Sequence, residues 1–395
     1  MEQYRQLAKR LRSLAVFRSL LEDPVIKGLI ALLEADSESV PERWAALAAA
    51  LYQADQEQVD LGEYLLSAVL ADENRYMLRR ARNRPVDPLL ERQAEQELKL
   101  LGGAGALSSQ ALRSGTDWPY PLPEWRGEQR DFWSIYQERL ERIPVYGYGI
   151  YARHHTFVLK DGVITPVLHP DETALEQLSG YQAERRQVLD NTAALLRGKP
   201  AANILLYGDA GTGKSSTVKA VANRYREEGL RLIELKKDQL HQLPGLMDAL
   251  SRNPLKFILF IDDLSFTRDD GDFSALKAVL EGTVAAKGSN TVIYATSNRR
   301  HLVRESFSDR AGDDVHFNDT LQELTSLSDR FGLTITFLRP DKKQYMQIVR
   351  DLAERYGLTL PEEELLRRAD AFAVRRGGYS PRTARQLVES LSAEE

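Results

Sequence analysis

Eight consecutive residues, Gly208-Asp209-Ala210-Gly211-Thr212-Gly213-Lys214-Ser215, fit the pattern G-x-x-x-x-G-K-[ST]. In such a loop small residues let the backbone curl, so that successive N–H groups point inward at the phosphates of a nucleotide. The lysine reaches the same phosphates, and the hydroxyl that follows it faces Mg²⁺. A plain glycine turn would share these letters but not these flanks. Asn203 to Tyr207 reads as a short apolar strand and Ser216 to Glu228 as a helix. Strand, glycine loop and helix in that order set a helix N-terminus against the anion. Residues 208–216 are therefore expected to bind ATP, with Lys214 also acting in catalysis and Ser215 on Mg²⁺.

Two further stretches end in chemistry. Lys256 to Leu264 is an apolar run closing on Asp262 and Asp263. That is the pattern of a buried parallel strand whose C-terminal tip carries charge, where ligands bind in open α/β sheets. Asp262 is expected to hold Mg²⁺ through its water shell, as a Walker B acid does, and Asp263 to polarise the attacking water. Thr291 to Asn298 is another apolar strand with a small polar tip. Asn298 is the expected group that positions this water, and Ser297 is the alternative under a one-residue shift in register.

The elements that must carry these residues follow from periodicity. Leu230 to Leu235 reads as another strand, Leu327 to Phe337 as a short helix end and then a strand, Asp238 to Arg252 and Asp272 to Lys287 as helices, and Arg299 to Ser326 as a long polar loop. Strands alternating with helices predict a five-stranded parallel sheet, helices on both faces. Residues 341–395 are helical in pattern and carry ten Lys/Arg against ten Asp/Glu, a poor nonspecific DNA clamp.

Upstream, apolar residues recur at helical spacing, with Pro24 and Pro41 where helices would start. A helix from Pro88 is expected to stop at Gly102 to Gly105. Trp118, Tyr120, Trp125, Trp133 and Tyr136 are expected to plug the space between helices rather than form a binding surface. Lys160-Asp161-Gly162 between apolar runs predicts a β-hairpin near 156–167. His154 and His155 beside it lack a third metal ligand at any suitable spacing. The expected division is a mainly helical N-terminal domain over 1–170, a nucleotide-binding α/β domain over 171–340 and a C-terminal helical lid over 341–395.

The chain of 395 residues is 43% hydrophobic and 28% charged, with a formal net charge of -5, so nothing global advertises a nucleic-acid surface. It has no cysteine, which excludes disulfides and thiolate chemistry. Neither a signal-peptide pattern nor an apolar run long enough for a membrane is present, and a cytoplasmic location is expected.

These pieces in this order resemble the AAA+ ATPases, over about Leu178 to Leu391. The resemblance adds the Ser328-Asp329-Arg330-Phe331-Gly332 box and the Ser380-Pro381-Arg382 stretch of the lid. More narrowly, Leu178-Ser179-Gly180-Tyr181, Asn191-Thr192, Gly208 to Ser216 and Leu327 to Leu333 are similar to the bacterial family called domain of unknown function 815. The resemblance implies that Arg330 serves the γ-phosphate bound by a neighbouring subunit, with Arg310 as the alternative. It implies that Arg382 senses the γ-phosphate in its own subunit, with Arg385 as the alternative, and that Leu178 to Tyr181 cradles adenine. It also implies self-association and a protein client met through the N-terminal domain. Asp263 stands where many AAA+ proteins have Glu, which suits slow turnover or the Asp pair of nucleic-acid loaders. Lys236 to Leu246 lacks an aromatic-aliphatic-Gly triplet, which counts against a polypeptide-threading motor.

Overall fold

The computed structural model describes residues 2–54, 56–113, 120–264, 276–280, 290–298 and 330–394. Arg310, Trp118, the loop expected over 299–326 and the Leu327 to Asp329 part of the box lie outside these residues. So does most of the helix expected over 272–287, of which 276–280 is described and helical. The chain divides into two compact units, Met1–Arg153 and His154–Glu395.

Among the described residues the first unit holds α1 (Glu2–Arg12), α2 (Pro24–Glu34), α3 (Val40–Tyr52), α4 (Leu61–Ala71), α5 (Arg75–Ala81), α6 (Pro88–Gly105), α7 (Ser109–Arg113), α8 (Phe132–Glu141), α9 (Ile143–Tyr146) and α10 (Ile150–Arg153). Short polar side chains set several starts: Asp23 accepts from the backbone N–H of Val25 and Ile26, Asn74 from that of Met77, and Asp87 from that of Leu89. Each satisfies donors that the first helical turn leaves open. Pro24 and Pro41 do fall in first turns.

The glycines expected to end α6 lie inside it. A Cβ on Gly102 would stand 2.9 Å from the carbonyl oxygen of Arg130, and one on Gly105 would stand 2.8 Å from Cα of Gly62. They permit close approach of neighbouring backbone, and this packing outweighs their weak helix propensity. Of the aromatic cluster, Trp125 and Tyr136 are buried and Trp133 is partly buried against the same core, while Tyr120 is exposed.

The second unit is built on one sheet of β1 (Thr156–Lys160), β2 (Val163–Pro166), β3 (Ile204–Gly208), β4 (Leu230–Leu235), β5 (Lys256–Ile261), β6 (Thr291–Ser297) and β7 (Leu333–Phe337). The order is β2-β1-β4-β5-β6-β3-β7, so the expected five strands become seven. The five lie parallel to one another, and the hairpin extends them: β1 pairs in parallel with β4, and β2 pairs antiparallel to β1. A two-stranded ribbon is marginal by itself, and the edge of β4 gives it a third strand and cover for Phe157 and Leu159. The hairpin therefore lies with the sheet, and the two units meet at Arg153 and His154 rather than at residue 170.

Helices α11 (Gln182–Leu196), α12 (Lys214–Tyr225) and α13 (Leu243–Ser251) follow in this unit. Pro244 opens α13 after a 3₁₀ stretch at Lys237–Gln242, where one longer helix was expected. The chain closes with α14 (Lys342–Tyr356), α15 (Glu362–Arg375) and α16 (Pro381–Ser392), which share a core around Tyr345, Val349, Ala369 and Val388. Phe257 to Ile261 of β5 are fully buried, which explains the unbroken apolar run that ends at Asp262.

Candidate active site

The site grows from the C-terminal ends of β3, β5 and β6. Register fixes these tips side by side: Tyr207 of β3 pairs with Ser297 of β6, and Ile261 of β5 pairs with Ala295 of β6. Residues just past the tips must therefore meet.

Gly208 leaves β3 with φ 137°, and a Cβ there would lie 2.1 Å from the Phe337 carbonyl oxygen, so only glycine fits. Gly213, with φ 91°, occupies the N-cap of α12 and aims that helix start at the cleft. Lys214 is the first residue of α12 and almost wholly buried. Its Nζ donates to the carbonyl oxygens of Gly208 and Asp209 at 2.9 and 2.7 Å and to Oδ1 of Asn298 at 2.9 Å. Burial pushes its ammonium below the ordinary value, and the carboxylates of Asp209, Asp262 and Asp263 act the other way.

Ser215, one position on, donates from Oγ to Oδ1 of Asp262 at 2.6 Å. The same carboxylate oxygen accepts from Thr296 Oγ1 at 2.5 Å. Thr296 in turn accepts from the backbone N–H of Asp263 at 2.9 Å, so one hydroxyl fixes both acids. No role for Thr296 was expected from sequence, because a threonine within a strand tip is ordinary strand composition. Asp263 has φ 51°, a left-handed conformation uncommon for a non-glycine residue. Its Oδ1 accepts from Nδ2 of Asn298 at 2.8 Å. Ser297 is buried and does not line the cleft, whereas Asn298 does.

The lid closes the other side. Ser380 caps α16, the backbone N–H of Arg382 donates to Gly211 O at 3.2 Å, and Gly211 packs against the Arg382 side chain. Arg382 and Arg385 both line the cleft, which has a volume of about 400 Å³. Arg339, at the exit of β7, donates its backbone N–H to Oδ2 of Asp209 at 3.0 Å and its Nη1 to Gly377 O at 3.1 Å. It ties the glycine loop to the lid, which its place in the sequence does not signal.

Two expected residues lie elsewhere. Tyr181 stacks its ring on Phe337 with centroids 5.2 Å apart, donates its hydroxyl to Leu338 O at 2.5 Å and does not line the cleft. Arg330 precedes β7, and Leu333 to Phe337 run alongside Ile204 to Gly208 in the same direction. Arg330 therefore stands beyond the opposite end of the sheet, about 13 Å of strand from the glycine loop.

The glycine loop, the tips of β5 and β6 and the Ser380 to Arg382 stretch of the lid thus meet at one cleft. Residues 152–395 match the family described as protein of unknown function, DUF815. The chain belongs to the DUF815 family. Among solved structures, this DUF815 chain is similar to the RuvB Holliday junction branch migration motor of Thermotoga maritima. The identity is 16%, over 55% of this chain and 63% of that chain, with a TM-score of 0.37. It is also similar to the AAA domain of FIGL-1 in complex with ADP, at 17% identity over 58% of this chain and 75% of that chain, with a TM-score of 0.39. This chain thus spans less than two thirds of the RuvB chain. No curated protein matches it.

The donor set suits a nucleoside triphosphate with Mg²⁺. Backbone N–H groups at a helix start, a buried ammonium and two lid guanidiniums offer cationic and donor contacts to phosphate. Among the described residues no three His, Cys, Asp or Glu side chains gather as a metal cage. Ser215 and Asp262 match a cation that keeps much of its shell as water and phosphate oxygen. No helix among the described residues is long and apolar enough to cross a membrane.

Proposed function

We propose that this chain is an ATP hydrolase that cleaves ATP to ADP and phosphate as a self-associating conformational switch in the cytoplasm. The observation that carries the reading is the unbroken hydrogen-bonded path from Lys214 through Asn298 to Asp263, beside Ser215 and Asp262. Residues 208–216 hold the phosphates. Ser215 and Asp262 would hold Mg²⁺, which would supply positive charge to the phosphates. Asp263 accepts the proton of the attacking water, and Asn298 holds Asp263 in place for it. Arg382 reports the γ-phosphate to the lid. Arg330, remote from its own cleft, meets the γ-phosphate of a neighbouring subunit, where a guanidinium offsets the charge of transfer. Lid motion then passes to a protein client bound by the N-terminal unit.

An ATPase assay across protein concentration tests this. Phosphate release per subunit should fall on dilution and be lost in Arg330→Ala. Activity that stays flat with dilution and survives that substitution removes the oligomer, and ATP affinity unchanged in Lys214→Ala removes the site.

A further inference from the structure

In the second unit the lid packs against the glycine loop where Arg382 meets Gly211, and against the segment before α11 where Ile348 of α14 comes 3.1 Å from the Cβ position of Gly180. The cleft reaches both places, and away from the glycine loop it is lined by Gln177, Leu178, Ser179, Arg185, Ile348 and Leu352. Two polar side chains on that wall keep hydrogen-bonding capacity that the described residues do not use. Ser179 Oγ is shielded from solvent and has no hydrogen-bond partner among the described residues. Arg185 is only 8% exposed, and among the described residues its guanidinium makes one hydrogen bond, from Nη2 to Gly180 O.

A guanidinium has five N–H donors and no acceptor. Arg185 also sits in the first turn of α11, the positive end of the helix dipole, and burial pushes its pKa down. The Glu184 carboxylate next in the chain favours the cation but does not offset its burial, and the remaining guanidinium donors call for acceptors on a ligand. The consecutive left-handed residues Gly180 and Tyr181, with φ 73° and 55°, turn the chain so that Ser179 and Arg185 share the cleft while the Tyr181 ring faces Phe337.

We infer that Ser179 and Arg185 read the base of a purine nucleoside triphosphate, with Arg185 donating to one ring nitrogen and Ser179 completing the contact at the same edge. This rests on the nucleotide reading above. Within the Leu178 to Tyr181 stretch expected to cradle adenine it selects Ser179 rather than Tyr181, and it adds Arg185, so that the base is read by hydrogen bonding rather than by apolar contact.

Calorimetric titration of the full chain with Mg²⁺ and ATP, its 1-, 3- and 7-deaza analogues, and tripolyphosphate tests the inference. On the unsubstituted protein one deaza analogue should bind about tenfold more weakly than ATP, as expected for loss of a charge-assisted hydrogen bond. Arg185→Met should weaken ATP to the level of that analogue, and Ser179→Ala should weaken ATP by a smaller factor. Tripolyphosphate should bind all three proteins alike, which also reports that the variants are folded. Deaza analogues that all bind the unsubstituted protein as ATP does would overturn the inference and leave the phosphate site standing. Equal losses of ATP, analogues and tripolyphosphate in Arg185→Met would overturn it too. If the unsubstituted protein binds neither ATP nor tripolyphosphate, the nucleotide reading itself falls.

Discussion

Asn298 donates a 2.8 Å hydrogen bond from Nδ2 to Oδ1 of Asp263. Its other amide atom, Oδ1, accepts from Lys214 at 2.9 Å, so one planar side chain couples the ammonium to the carboxylate. A pull on either group is felt by the other. Alanine at Asn298 should lower the single-turnover rate by roughly 10²-fold, the scale seen on losing one positioned polar group. ATP affinity should change far less, because Lys214 keeps the carbonyl oxygens of Gly208 and Asp209. Rapid-quench turnover beside equilibrium binding separates the two effects.

Complementation tests the place of Arg330. If it serves a neighbour, mixing Lys214→Ala subunits with Arg330→Ala subunits creates some interfaces with an intact cleft and an intact guanidinium. ATPase activity of the mixture should exceed that of either variant alone. A mixture no more active than its parts argues for action within one subunit.

Glu97 lies buried in the first unit and accepts from the backbone N–H of Ala15, Val16 and Phe17 at 2.8, 3.0 and 3.0 Å. Leucine there would strand three donors, and the first unit should lose roughly 2–4 kcal/mol. All four tryptophans, Trp44, Trp118, Trp125 and Trp133, belong to this unit, so urea unfolding followed by tryptophan fluorescence reports on it selectively.

His155 titrates at about 4 rather than 6.5, because of burial first and Arg231 second, with Glu227 opposing. The unfolded chain takes up this proton at a higher pH than the fold does. Stability should therefore decline as pH falls from about 6.5 towards 4, with no contribution above that window. His155→Gln should flatten the dependence of melting temperature on pH between 7 and 4 relative to the unsubstituted protein. An identical slope in both proteins would remove His155 from the account.

The sequence by itself determined the glycine loop, the acidic tip of β5 and the polar tip of β6. In each case the reason is local: glycine marks positive φ, and an apolar run that stops at a charge marks where a buried strand meets solvent. The starts of α2 and α3 were legible for the same reason, through proline and its fixed φ. Only the tertiary structure decided where the hairpin belongs, since strand periodicity says nothing about which edge a strand joins. It alone showed that Gly102 and Gly105 serve close packing within α6, because a neighbouring backbone brought near by the fold leaves no trace in local sequence. It likewise brought Thr296, Arg339 and Arg185 to the site and, within the Leu178 to Tyr181 stretch, kept Ser179 in the cleft and turned Tyr181 away. Those roles depend on which residues the sheet register and the lid set side by side, across separations that no local pattern records.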